Sequence, residues 1–177
     1  MKSSNNSNFK TEKKGGSDCF RTGEIMQEKT KMLWKVIGVT ALTAILGGLF
    51  SMNSKEFYQT LVKPPLAPPS GAFPIVWGIL YVCMALAMIF YFRKKPEEPV
   101  VFWIYVLNLV LNALWPLFFF SLGRICFSVF ILLGLIVINL ILIAELREVK
   151  VSFYLYLPYL LWQIFALYLN ISFCILN

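Results

Sequence analysis

Five apolar blocks of about twenty residues each, joined by short polar segments, constrain this chain more than any motif in it. They are Met32–Met52, Ala72–Phe92, Val100–Phe120, Ile125–Ala144 and Val151–Leu176. The one charge inside them is Lys35, close enough to an end for its stem to reach the interface. Each block is long enough to cross a bilayer. A backbone with no water to bond must pair within its own segment, so each is predicted to be a helix. The fold class that follows is all-α and integral to the membrane, a bundle of five transmembrane helices. Pro116 and Pro158 predict bends in the third and fifth helices. Residues 1–31, polar and basic with no apolar face, read as a disordered tail ahead of a membrane domain over 32–177. The tail is too long and polar for a signal peptide, so the first block reads as an anchor that stays.

Composition removes whole classes of function. The chain is 59% hydrophobic and only 14% charged, against about 25% charged for a soluble domain. A soluble enzyme or nucleic-acid binder is excluded. The net charge of +7 belongs instead to the tail and the joints. Thirteen of the sixteen basic residues fall on the side of the tail, and Lys55, Lys63 and Arg124 on the other. That asymmetry predicts a cytoplasmic amino terminus and a carboxyl terminus outside. There is no histidine, which removes Ser-His and Cys-His catalysis, His-ligated haem and the common catalytic zinc sites; no metal site is read. Cys19, Cys83, Cys126 and Cys174 are scattered and read as small buried hydrophobes rather than disulfides. No acidic or basic residue lies in the middle of a block, which argues against an ion-coupled pump.

What remains is a loop and several helix faces. The joint from Asn53 to about Gly71 carries Pro64, Pro65, Pro68 and Pro69, which stiffen it. It is either a rigid spacer or a lid over one end of the bundle. In the third block Asn108, Asn112 and Trp115 share one face, as interhelical glue or as the polar floor of a site. Trp77 and Tyr81 in the second block, and Trp162 and Ala166 in the fifth, form aromatic faces open to a packing or a pocket reading. Thr40, Ala44 and Gly48 recur every fourth residue in the first block, with Gly47 alongside. That is a pattern for close helix packing or a dimer seam.

Three stretches carry a family resemblance. They are FYQTLVKPPLAPPSGAFPIVWGILY (Phe57–Tyr81), FWIYVLNLVLNALWPLFFF (Phe102–Phe120) and PYLLWQIFALYLNISFCILN (Pro158–Asn177). Together they resemble the tryptophan-rich sensory proteins, the bacterial branch of the translocator protein or peripheral benzodiazepine receptor family, over about residues 33 to 177. The resemblance implies a five-helix bundle, usually a homodimer, that binds porphyrins (tetrapyrroles such as protoporphyrin IX) or sterols as ligands and needs no obligatory cofactor. It implies a pocket under the first loop, walled by Tyr58, Pro64, Trp77, Tyr81, Asn108, Asn112, Trp115, Trp162 and Ala166. The function it implies is that of a receptor, sensor or transporter for porphyrin-like molecules. Alternatives are a sterol or lipid carrier, and a light-dependent porphyrin-degrading activity in which Trp77 and Trp162 take part in oxidation. Where the family often has tryptophan, this chain has Phe57, Leu66, Gly71 and Cys174.

Overall fold

The computed structural model describes residues 7–52 and 54–177, with side chains from residue 26 onward. Six α-helices follow in order: α1 (Ser7–Phe50), α2 (Ser54–Thr60), α3 (Ala72–Lys94), α4 (Pro99–Pro116), α5 (Ile125–Leu146) and α6 (Lys150–Leu176). Five of them are long and apolar enough to span a membrane, the spans being Met26–Phe50, Ala72–Lys94, Pro99–Ser121, Ile125–Leu146 and Lys150–Leu176. Helix α1 begins at Ser7, so no break in the helix marks the boundary drawn at residue 31. No proline occurs before Pro64 to stop it. The side chains of Cys19 and of the rest of the tail before residue 26 lie outside the described residues.

The five spans close into a ring. In space the order is α1, α3, α6, α5, α4 and back to α1, each packed on two neighbours. Short joints place α5 beside α4 and α6 beside α5 as antiparallel pairs. Large apolar side chains such as Ile75, Ile79, Trp103, Phe130 and Val137 point outward, an arrangement suited to lipid and unfavourable in water. Inside the ring stand Tyr91, Tyr105, Tyr156 and Tyr159, all fully buried. Away from the first loop, Lys95 pairs with Glu148, and that hydrogen bond holds the lysine above its usual pKa.

The two prolines act differently. After Pro116 the helix widens into one π turn, Leu117–Ser121, closed by Leu122 N–H donating to the Leu117 carbonyl at 2.9 Å. Helix α6 runs unbroken through Pro158 from Lys150 to Leu176.

One finding adds to the sequence reading and a second corrects it. The first loop opens with a short helix, α2. Beyond α2, Ala67 N–H donates to the Pro64 carbonyl at 3.2 Å in a turn that puts Leu66 at φ +66°. A side chain with φ > 0 costs about 1–2 kcal/mol, yet Leu66 is 77% exposed and gains little burial in return. Second, Cys126 and Cys174 are joined by a disulfide, with Cα atoms 4.9 Å apart. The start of α5 and the end of α6 are level in an antiparallel pair, which a separation of 48 residues conceals. Cys83 is a free thiol, half-buried in α3.

Candidate ligand cavity

A cavity of about 340 Å³ lies between α1, α3 and α4, at the end of the bundle next to the first loop. Its α1 wall is made of very small residues, Ala44, Gly47 and Gly48, continued by Ser51 just beyond the helix. At Thr40, one to two turns earlier, α1 lies against α4, with the threonine Oγ1 2.7 Å from the Tyr105 hydroxyl. At Gly48 an added Cβ would meet nothing within 4 Å, and at Gly47 only the Tyr81 hydroxyl at 3.5 Å. The small-residue stripe therefore makes a helix seam at one end and a cavity wall at the other.

The α3 wall carries Trp77 and Tyr81, with ring centroids 5.9 Å apart. The α4 wall carries Asn112 and Trp115, and Trp77 lies 6.0 Å from Trp115. Ser54, the first residue of α2, reaches the cavity from the loop. Among the described residues, no charged side chain lines it. The positions of these walls are fixed from behind. Trp115 Nε1 donates to Asn170 Oδ1 at 2.8 Å, and Asn170 in turn receives Ser128 Oγ at 2.9 Å and donates to the Ile125 carbonyl at 2.8 Å. One carboxamide thus ties α4, α5 and α6 to a cavity tryptophan.

A second network holds Asn112. Its Nδ2 donates to the Tyr159 hydroxyl and to Asn108 Oδ1 (3.1 Å), while its own Oδ1 has no partner. Asn108 Nδ2 donates to Asn139 Oδ1 at 2.7 Å, an oxygen that also accepts the Tyr156 hydroxyl at 2.9 Å. Asn139 Nδ2 then donates to Gln163 Oε1. Every member is buried, where an unpaired polar group in lipid would be costly.

The structure divides the residues named from sequence. It brings Trp77, Tyr81, Asn112 and Trp115 together around the cavity. Trp162 and Ala166 lie behind Trp77 and Trp115, bordering a void of only about 10 Å³. Trp77, of the two tryptophans named for oxidative chemistry, is thus the one on the open side. Asn108 is fully buried in the network and lines neither space. Tyr58 and Pro64 are buried within the loop itself. The Tyr58 hydroxyl donates to the Pro68 carbonyl at 2.7 Å, and burial pushes that phenol above its usual pKa, keeping it a donor. The sequence reading missed Asn139 and Gln163, although Asn139 is the one carboxamide of the fourth block. It also read Gly47 and Gly48 only as packing; two adjacent glycines, more than a seam needs, were the available signal.

A model of the TspO/MBR family matches residues 36–176, which is nearly the whole membrane domain. The chain belongs to the TspO/MBR family. It is 34% identical over 157 residues to the "Tryptophan-rich protein TspO" of Chlorobaculum tepidum, covering 86% of this chain and 99% of that protein. The protein of the same name from Bacillus cereus is 30% identical over 131 residues, covering 70% of this chain and 86% of its own. The "Translocator protein" of Bos taurus is 27% identical over 151 residues, 76% of this chain and 85% of that one. This TspO/MBR protein is therefore a multi-pass integral membrane protein of five spans, with an aromatic cavity between α1, α3 and α4.

Proposed function

We propose that this TspO/MBR protein is a membrane receptor, with a sensing or transport role, for a flat hydrophobic ligand of the porphyrin class. The observation that carries the reading is the cavity: about 340 Å³, free of charged groups and walled by Trp77 and Trp115. That volume falls at the low end of the roughly 300–1,000 Å³ usual for ligand sites. Apolar burial and stacking supply affinity there, and the Asn112 carboxamide offers a polar point for orientation. The decisive experiment is a titration of the purified protein with protoporphyrin IX, followed by tryptophan quenching, beside the same titration with a sterol. Trp77→Phe is expected to weaken porphyrin binding by about 1 kcal/mol through lost stacking area. Unchanged affinity in that variant, or tighter binding of the sterol, would reassign the ligand class.

The basic-residue asymmetry supports a cytoplasmic tail, with the first loop and Asn177 on the outer face. A cysteine placed at position 5, in a background without Cys19, is expected to react with an impermeant thiol reagent only in opened cells. Reaction in intact cells would invert the topology.

A further inference from the structure

The last turn of α6 does more than end a helix. Asn177 Oδ1 accepts the Val62 N–H at 2.9 Å and its Nδ2 donates to the Val62 carbonyl at 3.2 Å, so one side chain pairs both backbone groups of a loop residue. The Tyr168 hydroxyl donates to the Pro65 carbonyl at 3.2 Å. Phe173 packs edge-on against Tyr58 with centroids 5.5 Å apart. The first loop is thus held down from α6 ahead of its Pro64–Ala67 turn and at the turn itself. A helix terminus normally frays, having carbonyls without intrahelical partners. Here the disulfide from Cys174 to Cys126 fixes that terminus to the start of α5. Cys174 is three residues before Asn177, next to Phe173, and four beyond the Asn170 that positions Trp115.

We propose that the Cys126–Cys174 disulfide is a redox site that controls how firmly the first loop is held, with an extramembrane dithiol as its reductant. Cys126 is exposed and lies two residues from Arg124, at the water-facing end of α5. A thiolate of the dithiol attacks the Cys126 sulfur, the S–S bond breaks, and the Cys174 thiolate leaves and takes a proton. The second thiol of the reductant then resolves the mixed disulfide. Two electrons and two protons pass to Cys126 and Cys174, and the dithiol becomes a cyclic disulfide. With the tie gone, the last turn of α6 frays, and the Asn177 latch on Val62 opens while the five spans stay assembled. Disulfides persist on outer faces, where the basic-residue count puts this end.

The test reads the loop itself, so it does not depend on which ligand the cavity takes. Pro64 and Pro65 carry no amide, and hydrogen exchange over residues 61–67 therefore reports chiefly on Val62 and its few neighbours. In protein purified with thiols blocked at lysis, residues 126 and 174 are expected to resist alkylation until dithiothreitol is added. On reduction, exchange at Val62 is expected to accelerate about tenfold, the protection that one net hydrogen bond gives, while α4 amides around Leu109 hold their rate. Asn177→Ala should exchange quickly at Val62 in both redox states, even while the disulfide is intact. The Cys126→Ser, Cys174→Ser double variant should be fast throughout and deaf to dithiothreitol. Three results would overturn the proposal: both thiols free in blocked material, unchanged Val62 exchange after confirmed reduction, or acceleration of α4 amides together with Val62. If the double variant fails to fold, reduction of the unmodified protein still decides.

Discussion

Gly47→Leu is expected to abolish most ligand binding while leaving the bundle as stable as before. The Cβ it adds would sit 3.5 Å from the Tyr81 hydroxyl, an ordinary contact, and the branches beyond it must enter the cavity between α1 and α3. A ligand then meets the misfit that overpacking a filled site brings, about 1–3 kcal/mol, or roughly five- to a hundredfold in affinity. Stability is not expected to fall, because replacing a helical glycine lowers the chain entropy cost, by at most about 0.5–1 kcal/mol in this last turn of α1. Gly47→Ala, which stops at the Tyr81 contact, should bind nearly normally. Gly38→Leu supplies the control: it lies on the same helix, exposed, with nothing within 4 Å of its added Cβ, and should lower neither property. Porphyrin titration and melting temperature on the same samples check all three. A lower melting temperature with unchanged affinity for Gly47→Leu would return the stripe to the packing-seam reading and empty the cavity of function.

Asn139→Leu is expected to cost the largest stability of any single change in the membrane domain. Asn139 serves three partners from two other helices: Asn108 Nδ2, the Tyr156 hydroxyl and Gln163 Oε1. Leucine keeps the volume but leaves all three without it, in a place where no water substitutes. Interhelical hydrogen bonds in membranes average about 0.6 kcal/mol each, yet a stranded buried group costs about 1–3 kcal/mol. A loss of roughly 3 kcal/mol follows, read as a shifted midpoint in detergent unfolding. Asn112→Leu should cost less, since one of the Asn112 carboxamide atoms already lacks a partner. Equal losses at positions 139 and 112 would mean that the network is not centred on Asn139.

The spans were legible because hydropathy and length alone decide what crosses a bilayer. Their joints were less so. α4 gives way to a π turn at Leu117 because Pro116 disturbs the hydrogen-bond ladder, and hydropathy does not record that. The spacing of Asn108, Asn112 and Trp115 put them on one side of α4, but could not say which of them meets a cavity. That depends on the path of α1, which lies against α4 at Thr40 and leaves space by Gly48. The disulfide, by contrast, could have been read. Both helices rise equally per residue, and Lys150, at their connection, lies midway between Cys126 and Cys174. The same geometry brings Ser128 to Asn170. Nearness in sequence, by which the four cysteines look scattered, does not show this pairing.

The order of helices around the ring has a consequence for how the protein is made. Of the five spans α1 is synthesised first, yet its neighbours are α3 and α4. Until those emerge, α1 stands in the bilayer with lipid on every side. Its buried polar groups, Thr40 and Thr43, suit that interval: each hydroxyl donates within the helix, to the carbonyls of Val36 and Val39. The partner-dependent carboxamides are confined to spans made later: Asn108 and Asn112 on α4, Asn139 on α5, Gln163 and Asn170 on α6. Asn108 and Asn112 bond one another while they wait. The span that must wait longest for company is the one whose polar groups can satisfy themselves.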